Sequence, residues 1–66
     1  MPTGRVIDFD RQVGLGHVED GSGAVRFFHC VEIVDGTRTI DVGAEVEFDV
    51  VVKFGAEEAA ALRPRA

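Results

Sequence analysis

The sequence predicts an all-β protein, expected to close as a five-stranded antiparallel β-barrel, and three observations carry the all-β class. Apolar residues alternate or cluster in short runs instead of recurring every three and four positions, which is the periodicity of strands rather than helices. The runs are separated by glycine-containing turns. The chain has 66 residues and one cysteine, Cys30, so a single small core has to hold together by apolar packing without an internal disulfide.

The first strand is predicted over Arg5-Val6-Ile7-Asp8-Phe9-Asp10, the second over Gly14-Leu15-Gly16-His17-Val18-Glu19, and the third over Ala24-Val25-Arg26-Phe27-Phe28-His29. Between the last two lies Asp20-Gly21-Ser22-Gly23, a tight-turn signal, because aspartate and glycine tolerate the positive φ angles such turns demand. Residues 31–42 read as a long loop punctuated by Asp35-Gly36 and leading to Val42-Gly43. In the fourth strand Val46, Phe48, Val50 and Val52 alternate with Glu45, Glu47, Asp49, Val51 and Lys53, which predicts one inward apolar face and an outer face that is mostly acidic and solvated.

The tail Ala56-Glu57-Glu58-Ala59-Ala60-Ala61-Leu62 sets two preferences against each other. Alanine and glutamate are good helix formers, yet a small barrel needs one more strand to close its edge. A helix this short is marginal in water and Pro64 ends it, so the expectation is a closing strand over about residues 58–63.

Composition narrows the function. Seven Lys and Arg against twelve Asp and Glu leave a formal charge of −5, which disfavours indiscriminate binding to polyanions but permits a locally favourable face. Met1-Pro2-Thr3-Gly4-Arg5 lacks the basic start and apolar run of a secretory signal, and no segment has the apolar length to span a bilayer, so the expectation is a soluble, cytoplasmic protein with no membrane partner. There is no serine-histidine-acid set, no phosphate loop and no cofactor fingerprint, so binding is expected rather than catalysis, with no cofactor. Cys30 follows His29 directly, but adjacent strand residues diverge and sequence adjacency makes no nucleophile-base pair. His17, His29 and Asp8 form at most an incomplete metal set, and the two histidines are better explained as substitutes for larger rings.

The chemistry concentrates on the second and third strands. Gly14, Gly16, Val18, Phe27 and His29 resemble the paired nucleic-acid-binding motifs of the bacterial cold-shock protein family, in which lysine-glycine-aromatic-glycine-aromatic precedes valine-aromatic-valine-histidine on the adjacent strand. Gly4-Arg5-Val6 followed by Phe9 is similar to that family's first strand, Gly43 with Val46 and Phe48 to its fourth, and Ala59-Ala60 followed by Leu62 to its last. The chain resembles a divergent member: Asp8 stands where tryptophan is usual, Leu15 and His17 where phenylalanine is usual, Ile7 and Val13 at positions commonly lysine, and Cys30 where an aromatic is frequent.

The resemblance implies a single OB-like domain over residues 1–66 that binds single-stranded RNA or DNA by stacking unpaired bases on a strand face, with an RNA-chaperone or gene-expression role. Carried over residue by residue, the platform is Phe9, Leu15, His17, Phe27 and His29, with Arg5, Arg11, Arg38 and Lys53 as phosphate contacts. If Phe27 and His29 point outward, period two puts Val25, Leu15 and His17 outward with them and Gly16, Val18, Arg26 and Phe28 inward. An inward Arg26 would carry its guanidinium to the barrel rim, unless a bulge turns it outward. The alternative is an OB-type protein-interaction module that has kept the core and lost nucleic-acid affinity. A monomer or weak dimer is expected in either case.

Overall fold

The computed structural model describes residues 2–34, 36 and 39–65. Its elements are β1 (Thr3–Asp10), β2 (Leu15–Asp20), β3 (Val25–His29), a 3-10 turn η1 (Cys30–Glu32), β4 (Glu45–Lys53) and β5 (Ala56–Pro64). The five strands form one sheet in the order β1-β2-β3-β5-β4, and β4 returns to pair with β1 through Thr3↔Glu47, Gly4↔Val46 and Arg5↔Glu45.

The expectation of a wholly antiparallel barrel is corrected at one seam. β3 and β5 run parallel and meet at Phe27↔Glu58. The reason is topological: strand directions that alternate around a ring cannot alternate consistently when the number of strands is odd. One junction has to be parallel, and it falls where the long connection between β3 and β4 lets β5 slot between them.

Every strand contributes to the core. Val6, Val18, Phe28, Val46, Phe48, Ala59 and Leu62 are fully buried, and Ile33 after η1 joins them. Burying each large apolar side chain contributes about 1.5–3 kcal/mol, the main favourable term available to a chain of this size. The inward placements of Val18, Phe28, Val46 and Phe48 follow the predicted alternation.

The tail is a strand, as expected, and longer than expected. It pairs with β4 from Val46↔Pro64 to Lys53↔Ala56, so tertiary pairing overrides the helix propensity of its alanines and glutamates. Between Asp49↔Ala60 and Glu47↔Arg63, β5 spends three steps where β4 spends two. The extra residue is Ala61, whose φ of 52° lies in the left-handed region, and the Glu32 carboxylate accepts its backbone N–H at 3.2 Å.

A second correction concerns the far half of β4. Val50 and Val52 were expected inward but are 38% and 69% exposed. β1 pairs with β4 only as far as Glu47, so beyond Phe48 this strand runs past the barrel with β5 as its described strand partner. The alternation persists there, but among the described residues no second layer covers the face.

Arg26 lies on an uninterrupted β2–β3 ladder, which excludes the bulged alternative. Its guanidinium donates to Asp20 at 2.6 Å and to Glu57 at 3.0 Å. An inward-pointing charge is thus carried to the rim and paired there.

Candidate nucleic-acid interface

The β2–β3 hairpin builds the candidate site. Its turn is closed by Asp20, whose Oδ1 accepts hydrogen bonds from the Ser22 N–H, the Ser22 hydroxyl and the Ala24 N–H. Donation from the Ser22 side chain, followed by that from Arg26, holds the Asp20 carboxyl well below the usual carboxylate range. The bond to Asp20, followed by that to Glu57, raises the Arg26 guanidinium further above its ordinary value. The turn therefore ties the hairpin's register to a charged clamp.

That register brings the platform residues together. His17 stands opposite Phe27, and Leu15 opposite His29. Cross-strand partners share a face, so the four side chains form a two-by-two block, with His17 and His29 exposed and Leu15 and Phe27 half-buried. The Phe27 and His29 rings meet edge to face, with centroids 5.5 Å apart and planes at 67°. Flat rings at period two on a strand offer one stacking position per base.

Phe9 plays a different part. Its ring stacks in parallel on buried Phe28, with centroids 6.0 Å apart and planes 6° apart. Gly16 makes room for this pair, since a Cβ there would lie 2.6 Å from Phe28 Cζ and 2.9 Å from Phe9 Cδ1. Phe9 thereby couples the core to the platform's edge, where it lines a cleft with Asp8, Arg11, Leu15 and His17.

Two carboxylates border the site: Asp8, which the sequence set at a position where tryptophan is usual, and Glu58, which sequence reasoning had not placed there. Between Val6↔Val18 and Asp8↔His17, β1 advances two residues while β2 advances one, so Ile7 is the extra residue of a bulge. The bulge sets Asp8 against His17, whose Nδ1 lies 2.8 Å from Asp8 Oδ1. On the other side, Glu58 sits beside Phe27 with its side chain 6% exposed, 3.5 Å from His29 Nδ1 and 4.0 Å from Lys53 Nζ. Glu58 Oε1 is buried without a hydrogen-bond partner among the described residues. One row of paired residues therefore crosses all five strands: Asp8, His17, Phe27, Glu58 and Val51. Because the row needs a bulge and a parallel seam, no alternation within a single strand could have signalled it.

The four expected phosphate contacts are dispersed. Arg11 lies in the β1–β2 turn beside the cleft, and Lys53 reaches Glu32 and Glu58 next to His29. Arg5 is 3.6 Å from Glu45 and lines a separate polar cleft with Glu19, Asp20 and Arg65. Arg38 lies outside the described residues. Among those residues no group of three or more His, Cys, Asp or Glu side chains converges in a metal-holding arrangement, and no helix is long and apolar enough to cross a membrane.

The arrangement can offer ring faces to flat partners while its carboxylate borders discourage dense negative charge. No match is found among curated proteins. The family model described as the 'Cold-shock' DNA-binding domain matches residues 2–64, nearly the whole chain, and with the fold and the hairpin's motifs this shows that the protein belongs to the cold-shock domain family of nucleic-acid-binding domains.

Proposed function

We propose that this domain binds single-stranded RNA or DNA, stacking unpaired bases on Phe27, His29 and His17, with Phe9 and Leu15 extending the apolar surface toward the β1–β2 turn. The observation that carries this reading is the two-by-two block of Leu15, His17, Phe27 and His29. Arg11 and Lys53 flank the bases as phosphate contacts, while Arg5 would serve a strand running beyond the block. Few rings and several bordering carboxylates favour weak, transient binding with little sequence preference. Such binding suits an RNA chaperone or a regulator of gene expression in the cytoplasm, because a protein that holds unpaired strands briefly disfavours misfolded RNA.

The test is a titration of a fluorescently labelled pyrimidine-rich single strand, read by anisotropy at two salt concentrations. Saturable binding that weakens with salt is expected, and the slope gives the number of phosphates contacted. Phe27→Ala should cost about 1–3 kcal/mol, the value of one stacked base. Unchanged affinity in that variant would remove Phe27 from the site. The second reading, a protein-interaction module, is favoured by one observation, the placement of Asp8 and Glu58 at the platform's borders; absence of oligonucleotide binding even at low salt would select it.

A further inference from the structure

Beyond Phe48, one edge of β4 is open among the described residues. Asp49, Val50, Val51, Val52 and Lys53 pair with β5 on one side, whereas β1 pairing on the other side ends at Glu47. Among the described residues the last backbone bond on that side is donated by the Phe48 N–H to the Pro2 carbonyl at 3.0 Å. Since successive residues of a strand alternate their polar groups between its two neighbours, the N–H and C=O groups of Val50 and Val52 project along the same open edge. No described strand receives them. The surface around them is apolar: Val52 is 69% exposed, and Phe54 at the hairpin tip is fully exposed.

The order of residues on this edge is self-complementary. Laid antiparallel against itself with a two-fold axis at Val51, the segment sets Asp49 opposite Lys53 of a second copy and Val50 opposite Val52, with Val51 facing its own counterpart. Both valine pairs fall at positions whose N–H and C=O groups point across the axis, so each can exchange two backbone hydrogen bonds. Both charged pairs are of opposite sign. Among the described residues the same charges have long contacts within one chain, Asp49 to Arg63 at 3.5 Å and Lys53 to Glu32 at 3.8 Å and to Glu58 at 4.0 Å.

We propose that the exposed β4 edge is a homodimerisation surface, joining two copies of this chain through antiparallel β4–β4 pairing centred on Val51. Pairing covers the open polar groups of Val50 and Val52 and joins Asp49 to Lys53 twice. It also continues the row Asp8, His17, Phe27, Glu58, Val51 into the same row of the second copy. If the single-strand reading holds, the two platforms then lie on one extended sheet and can engage one longer strand; the dimer itself does not depend on that reading.

Sedimentation equilibrium without nucleic acid, over protein concentrations up to about 1 mM, the range in which a small interface associates, provides the test. The expected result is a reversible approach from 7.1 kDa to twice that mass. Asp49→Lys and Lys53→Asp should each weaken association by about tenfold or more through facing like charges, and the double variant carrying both should regain the parent's affinity. Amide exchange supplies a readout independent of charge: protection of the Val50 and Val52 N–H groups should rise with protein concentration, while that of Val51, which faces β5, should not. Monomer at every concentration, association indifferent to either single charge reversal, or failure of the double variant to recover would overturn the proposal. Circular dichroism confirms that each variant is folded.

Discussion

Asp8 and His17 are joined by a hydrogen bond of 2.8 Å on the proposed stacking face, and a carboxylate can only accept, so His17 Nδ1 carries the proton. The bond fixes the imidazole's tautomer and orientation. It also places a negative group where an unpaired base and its phosphate would approach, so one residue both positions a platform ring and limits what the platform attracts.

Replacing that carboxylate should strengthen binding. Asp8→Phe adds an exposed ring and removes a charge, and one further stacked base contributes about 1–3 kcal/mol, or roughly 5- to 150-fold in affinity. Anisotropy titration against the parent protein measures the gain. Equal or weaker binding would mean that this end of the row does not meet the ligand.

Gly16→Ala should destabilise the fold by about 1–3 kcal/mol, the usual cost of overpacking. The new methyl would lie 2.6 Å from Phe28 Cζ and 2.8 Å from the Asp8 carbonyl oxygen, so the Phe9–Phe28 stack or the β1 bulge has to give way. Urea unfolding reads the change, and a midpoint matching the parent's would show that the two rings separate without cost.

At the β4–β5 turn Phe54 and Gly55 have φ values of 52° and 78°, the geometry of a tight hairpin that favours asparagine at the first position. Phe54 is fully exposed, so its ring gains nothing there to offset the strained backbone. Phe54→Asn should raise stability by about 1 kcal/mol, the scale of the left-handed penalty. Thermal unfolding tests this, and a lower melting temperature would reveal packing by Phe54 that the folded chain keeps only transiently.

The Asp20 clamp predicts a specific response to acid. Its folded-state value lies below that of an unfolded aspartate, so the unfolded chain takes up this proton first and stability rises with pH. The contribution is complete above the ordinary aspartate value near pH 4 and is lost as pH falls toward the lowered folded value. Ser22→Ala removes the largest cause of the shift. The variant should be less stable at neutral pH and should lose stability less steeply below about pH 4, as followed by urea midpoints at several pH values. Parallel curves for parent and variant would dissociate Ser22 from the effect.

The period-two pattern by itself placed the first four strands and, within them, the core positions Val18, Phe28, Val46 and Phe48. Those four are buried where alternation put them, and His17 lies opposite Phe27 because the Asp20-Gly21-Ser22-Gly23 turn sets the hairpin's register. Those properties are local: side chains a few residues apart, and a turn whose chemistry is written in four consecutive positions. Ring closure decided the rest. Five strands force a parallel seam, which brings Glu58 beside Phe27 and buries it near His29. Curvature places extra residues at Ile7 and Ala61, so that Asp8 rather than its neighbour meets His17 and Glu32 caps a backbone group 29 positions away. The end of β1 leaves the last residues of β4 uncovered, exposing Val50 and Val52 despite an unbroken inward pattern. Alternation states which way a side chain points relative to its own strand; only the assembled sheet states what stands opposite it.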